Sequence, residues 1–261
     1  WYTSHGRSRA LRWAHRVIAA AATASAESYP PGGAKAFVLG HGIDTVRFAP
    51  APGRQARNDP PVIGTAGRLT PLKGFEEVIR AVALLHQQGR VRPRVRIAGG
   101  PFYAGDHAYA ETLRRLAVNA GLEGQVEFLG ALPAPAMPDF YRSLDVFVNW
   151  RRQPALDKTG LEALASGTAL VTNNTAYASL LGSLAQDFLV AGTPEDLARG
   201  LDGVLGMHLG VRAAALQQLR RATVQRHSAD GLAARLVGLF EALRTGTAPP
   251  FEHLAGRGPA A

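Results

Sequence analysis

The sequence predicts an α/β protein with a Rossmann-like parallel sheet flanked by helices, and three observations carry that expectation. From residue 62 onward, short apolar runs alternate with longer stretches of helical period, as in a parallel sheet covered by helices. The 261 residues are 46% hydrophobic, with modest charge and abundant Ala and Gly, enough for a proper α/β core. The segment Val62-Ile-Gly-Thr-Ala-Gly-Arg-Leu-Thr-Pro-Leu-Lys-Gly74 reads as a strand, a glycine turn and a helix start in immediate succession.

Taken in order, residues 8–20 carry a helical pattern through Leu11, Ala14, Val17 and Ile18 that dissolves into an alanine-rich run. Tyr29-Pro-Pro-Gly-Gly33 is a loop, and Phe37-Val-Leu39 is a short strand closing on Gly40-His-Gly42. Residues 50–61 are rich in Pro, Gly, Arg and Asn and read as a linker or exposed loop. Strands are expected at 62–66, 94–98, 125–129, 145–149, 169–172 and 187–190. Helices are expected near 74–88, 107–120, 136–143, 159–166, 175–182 and 194–206, followed by two more near 210–225 and 230–244. The first shows its stripe plainly in Phe75, Val78, Ile79, Val82 and Leu85. Residues 246–261, rich in Gly, Pro and Ala, are expected to be a disordered tail.

Composition excludes several classes. There is no cysteine, so disulfides and thiolate metal sites are impossible, which fits a reducing, cytoplasmic setting. No apolar run approaches the roughly 20 residues that span a bilayer. The net charge of +9 is mostly arginine scattered through helices, paired only at 114–115, 151–152 and 220–221. A nucleic-acid binder should show a clustered basic stripe with stacking aromatics, so no nucleic-acid partner is expected. Dispersed basic charge does suit peripheral contact with an anionic membrane face. Histidines are dispersed, without ligand spacing, so no metal is expected. The nucleophile-elbow, phosphate-loop and dinucleotide fingerprints are all missing.

Two constellations remain. Arg68 and Lys73 place two cations at the carboxyl end of a strand, where open α/β sheets bind ligands. They suit a compact dianion such as a diphosphate, with roughly 1.5–3 kcal/mol available from each charge-assisted contact. The second is Leu156-Asp-Lys-Thr-Gly-Leu-Glu-Ala-Leu-Ala-Ser-Gly167, where Asp157 and Glu162 bracket a helix start around Gly160. Carboxylates suit vicinal sugar hydroxyls, and the helix N–H groups can receive a phosphate. The same residues also fit local capping, since Thr159-x-x-Glu162 is a capping-box spacing and Asp157 a cap type. Gly99-Gly100-Pro101 and Leu129-Gly130 follow strands as turn signals, and His41-Gly42 reads as a turn.

In combination these residues resemble glycosyltransferase family 4, enzymes of the GT-B fold that use nucleotide-sugar donors. His41-Gly-Ile-Asp-Thr-Val-Arg-Phe-Ala-Pro50 is similar to the family's interdomain N-G-V-D-x-x-x-F-x-P stretch, with histidine for asparagine. Gly67-Arg68 through Lys73-Gly74 resembles its diphosphate clamp, Phe128-Leu-Gly130 its base-pocket strand end, and Glu162-Ala-Leu-Ala-Ser-Gly-Thr168 its E-A-x-A-x-G helix. The resemblance covers about residues 36–245. It implies a transferase moving a hexose, with retention, from a UDP- or GDP-sugar to a glycan, glycolipid or small acceptor, as in polysaccharide biosynthesis. No cofactor beyond the donor is implied.

Carried over by position, Arg68 and Lys73 bind the diphosphate and stabilise the leaving nucleotide, and Glu162 holds the ribose. Gly67, Gly99, Leu129 and Gly130 line the donor cleft, with Lys158, Gly160 and Leu161 at the helix start. The family's usual acid eight residues before Glu162 is replaced by Pro154, and Asp157 is expected to take over recognition of the transferred sugar. Residues 1–45 resemble a remnant of the acceptor-side domain and linker, and 46–245 the donor domain. The chain begins at Trp1 in what reads as the middle of an element and is expected to be a fragment or trimmed. Such a piece should bind nucleotide while transferring sugar poorly. A GT-B nucleotide-sugar epimerase and a non-catalytic nucleotide-binding module stand as alternatives.

Overall fold

The computed structural model describes residues 8–53, 58–100 and 104–251. Helix α1 (Arg9–Val17) starts at Ser8, whose hydroxyl accepts from the Leu11 amide, and ends where the Lys35 ammonium donates to the carbonyls of Arg16 and Ile18. The alanine-rich run after it forms β1 (Ala21–Thr23), which pairs in parallel with β2 (Ala36–Val38). Alanine is a poor strand former, and this pairing is decided by burial of the run rather than by propensity.

The main sheet has five parallel strands: β3 (Val62–Ala66), β4 (Arg94–Ala98), β5 (Val126–Gly130), β6 (Val146–Asn149) and β7 (Ala169–Thr172). Their order is β5-β4-β3-β6-β7. The central strands are buried along their whole length, which explains their continuous apolar sequences. Covering them are α2 (Phe75–Gln87), α3 (Ala104–Asn119), α4 (Met137–Arg142), α5 (Lys158–Ala165), α6 (Ala178–Leu181), α7 (Ala185–Phe188), α8 (Pro194–Gly206) and α9 (Leu209–His227). The expected stripe of α2 is fully buried, and that helix packs on α8. Thr193 and Asp196 form a capping box at the start of α8.

Ser228 ends α9 and caps α10 (Ala229–Thr245), which crosses to the small sheet and buries Leu239 against Ala22, Phe37 and Leu39. Ile43 pairs with the α9–α10 junction, its amide donating to the His227 carbonyl at 2.7 Å and its carbonyl accepting from Ala229 at 2.8 Å. The linker is thereby tied to the junction of α9 and α10.

Two expectations need correction. Residues 187–190 are not a strand: Ala185–Phe188 is helical and only Leu189 bridges Thr172. The apolar run Phe188-Leu-Val190 is too short for periodicity to separate the two states. The stretch 175–182 is a 3-10 turn (Thr175–Tyr177) followed by one α-helical turn, broken at Gly182. Residues 1–7, 54–57, 101–103 and 252–261 lie outside the described residues, and with them most of the expected disordered tail, part of the 50–61 loop and Pro101.

Candidate functional site

Strand order locates the site. Chain order runs outward from β3 through β4 to β5, then returns to β6 on the other flank, so β3 and β6 straddle the topological switch point. Open parallel sheets leave a crevice there, at the carboxyl ends of the strands. The turn after β3 and the loop after β6 are therefore neighbours.

The first turn is built by close backbone packing. The Gly67 amide donates to the Ala98 carbonyl at 3.0 Å and the Gly99 amide to Gly130 at 2.8 Å, which ties together the ends of β3, β4 and β5. A side chain at Gly99 would overlap the Gly67 carbonyl. A 3-10 turn (Pro71–Lys73), capped by the Thr70 hydroxyl, leads to Gly74. Gly74 sits at φ 55°, and a Cβ there would run into the buried Trp150 ring, so both backbone and packing demand glycine. Lys73 folds back over Gly67, with Arg68 exposed on the same turn. Leu129 is half-buried and Gly130 exposed at the cleft's β5 side.

The Lys73 ammonium meets Asp157 Oδ2 at 2.7 Å, and Arg151 Nη1 reaches the same oxygen at 2.9 Å. The other oxygen, Oδ1, accepts from Asn149 Nδ2 at 2.8 Å, Thr159 Oγ1 at 2.9 Å and Tyr177 at 3.3 Å. Burial pushes the Asp157 carboxyl up, but Lys73 and Arg151 together outweigh it and hold it well below the usual carboxylate range. Asp157 is therefore an ionised hub with both oxygens engaged inside the protein. It would reach a sugar only by giving up a partner.

The loop leading to Asp157 is anchored at three consecutive carbonyls. Asn174 Nδ2 donates to Ala155 at 2.9 Å, His41 Nε2–H to Leu156 at 2.9 Å and the Tyr177 hydroxyl to Asp157 at 2.8 Å. His41 is thus more than the turn its sequence suggests. Its own amide donates to His227 Nδ1 at 3.0 Å, which requires that nitrogen to be unprotonated. Burial lowers both imidazoles, His227 to about 3, with His41, Arg235 and Arg226 adding repulsion against its charged form.

Asp157 is the N-cap residue of α5 but makes no side-chain capping bond, so the first N–H groups of the helix have no side-chain acceptor. They form an anion-receptive end beside Lys73. The capping-box alternative for Glu162 fails, because Thr159 lies inside the helix and Glu162 Oε2 instead accepts from Tyr141 at 2.9 Å. Burial raises the Glu162 carboxyl, against the lowering pull of that hydrogen bond and of Lys158. Lys158 is exposed, whereas Gly160 is packed under Tyr177 and the Leu161 side chain is wholly in the core. Leu161 can therefore face the cleft only through its backbone.

Sequence reasoning missed Arg151, Asn149, Asn174, Tyr177 and the His41 ring. The one signal for Arg151 was its place just past the end of a buried strand. Among the described residues, no three His, Asp or Glu side chains gather closely enough to hold a metal ion, and no helix is long and apolar enough to cross a membrane.

The sequence model of the family described as glycosyl transferases group 1 matches residues 51–216. A D-inositol 3-phosphate glycosyltransferase of Kineococcus radiotolerans is 34% identical over 172 residues, which cover 62% of this chain and 39% of that protein. A GDP-mannose-dependent alpha-(1-6)-phosphatidylinositol monomannoside mannosyltransferase of Mycolicibacterium smegmatis is 34% identical over 148 residues, 51% of this chain and 37% of that protein. The chain thus spans about two fifths of the length of these curated relatives. Among solved structures, a glycosyltransferase of Rickettsia africae superposes with a TM-score of 0.78 at 14% identity, covering 94% of this chain and 70% of that one. Anabaena HepE in complex with UDP and glucose gives 0.76 at 20% identity, covering 89% and 66%. At such identities the likeness is one of fold, and it is the GT-B architecture implied by the sequence motifs.

Proposed function

The chain belongs to the glycosyl transferases group 1 family, and from that premise we propose that it is the donor-binding part of a hexosyltransferase using a UDP- or GDP-linked sugar. The observation that carries this reading is the meeting, at the switch point, of the Gly67–Lys73 turn with the uncapped start of α5. A diphosphate there receives Arg68, Lys73 and backbone N–H groups together. Glu162, on the helix face one turn beyond Lys158, accepts from the ribose hydroxyls.

In the reaction the bond from the sugar's anomeric carbon to the diphosphate breaks, and negative charge collects on the leaving nucleotide. Fixed cations at that place stabilise the transition state more than the ground state. The acceptor hydroxyl, from a glycan, glycolipid or small molecule, bonds to the anomeric carbon with retention and passes its proton to the departing diphosphate oxygen. Charge supplied by side chains removes the need for a metal. Names of relatives support both donor classes, since one is GDP-mannose-dependent and a structural neighbour holds UDP.

Calorimetry with UDP and GDP tests the reading. Wild-type chain binds at least one of them, and joint replacement of Arg68 and Lys73 by alanine abolishes binding while circular dichroism stays native. Unchanged affinity in that double variant would refute it.

A further inference from the structure

We infer that Arg151 is a third phosphate-binding cation of the donor site, beside Arg68 and Lys73, held next to Lys73 by Asp157. The inference deepens the donor-site reading above and rests on it. Neither composition nor motif spacing marks this residue. Its case comes from where the fold puts its charge.

Lys73 and Arg151 arrive from opposite sides of the switch point, one from the turn after β3 and one from the loop after β6. Their charged heads converge on a single oxygen, Asp157 Oδ2. One carboxylate balances only one of the two cations, so this corner keeps an excess positive charge. Neutral donors from Asn149, Thr159 and Tyr177 fill the other oxygen and stop the carboxylate from turning away. Asp157 thereby acts as a brace that sets the separation of two cations.

Both cations keep donors in reserve. The Lys73 ammonium uses one of its three N–H directions on Asp157, and Arg151 spends Nη1 on Asp157 and Nε on the Gln153 carbonyl at 3.2 Å. Their side chains are similarly accessible, 21% and 22% exposed, so a ligand in the crevice can touch each head. Arg151 is also fixed at its backbone. Its amide donates to Asn173 Oδ1 and its carbonyl accepts from Asn173 Nδ2, both at 2.9 Å. A planar guanidinium held at root and tip presents its remaining N–H groups in a fixed direction, the arrangement that suits two phosphate oxygens. The neighbouring Arg152 differs: it is half exposed and paired with Glu77.

The test measures nucleoside diphosphate and parent nucleoside binding by calorimetry, using GDP, UDP, guanosine and uridine. Loss of one charge-assisted contact should weaken diphosphate binding by about 10- to 100-fold in Arg151→Gln. Nucleoside affinity should stay within about twofold, and Arg151→Lys should recover part of the loss. Wild-type diphosphate affinity in Arg151→Gln overturns the inference and leaves the donor-site reading standing. An equal loss for nucleoside and diphosphate also overturns it, because that marks a structural role only. A wild-type chain that binds no diphosphate sinks the donor-site reading and this inference with it. A second measurement needs no variant: phenylglyoxal labelling of the native chain, mapped by mass spectrometry. Diphosphate should protect Arg151 but not Arg152, and equal labelling of Arg151 with and without it would refute the contact.

Discussion

Lowering the pH should destabilise this fold through His227 before most carboxylates titrate. The His227 ring is buried where α9 ends, and its Nδ1 accepts from the His41 amide. The groups facing it are His41 on the linker, Arg226 on its own helix and Arg235 on α10, all of which oppose a positive charge. Its proton affinity falls from the ordinary 6.5 to about 3. The unfolded chain therefore takes up a proton near pH 6.5 that the folded chain refuses until about pH 3. Stability is complete above pH 6.5 and declines as pH falls toward 3, at about 1.4 kcal/mol per pH unit. From pH 7 to pH 5 this amounts to about 2 kcal/mol, a drop of about 4–8 °C in melting temperature for a domain of this size. His227→Asn supplies an acceptor in the same place and removes the titration. Urea denaturation of both proteins at pH 7 and pH 5 gives the comparison. The wild type should lose about 2 kcal/mol more than the variant. Parallel losses, agreeing within about 0.5 kcal/mol, would show that the buried imidazole does not govern acid stability.

Two further substitutions probe the site's framework. Gly74→Ala combines a left-handed backbone with a clash against Trp150 and should cost about 3 kcal/mol in urea denaturation; a cost below about 1 kcal/mol would contradict the described turn. Tyr177→Phe leaves the Asp157 carbonyl without its donor and should cost about 1–3 kcal/mol while weakening nucleoside diphosphate binding in calorimetry. Unaltered stability and affinity would mean that Tyr177 does not anchor the loop.

Some features were legible without coordinates because short-range physics writes them into the chain. The stripe of α2 follows from helical period, and the β3 turn from glycines placed beside an apolar run. Arg68, Lys73 and Glu162 could be placed beside a strand end or a helix start for the same reason, each lying at a fixed offset from it. Local reading failed where two local outcomes were nearly equal. Phe188-Leu-Val190 was too short to separate strand from helix, and Thr159-x-x-Glu162 matched a capping box that begins two residues too late.

Residue type and spacing were enough to specify an alternating α/β chain, its glycine-marked strand ends and the two stretches that carry charge. Which strand ends become neighbours was set by the folded sheet. Lys73 meets Asp157 across 84 positions, His41 meets Leu156 across 115, and His41 meets His227 across 186. No periodicity extends over such separations. Those partners are chosen when the whole apolar surface of the sheet is buried at once, and the strand order β5-β4-β3-β6-β7 that results brings Arg151 to the oxygen already held by Lys73.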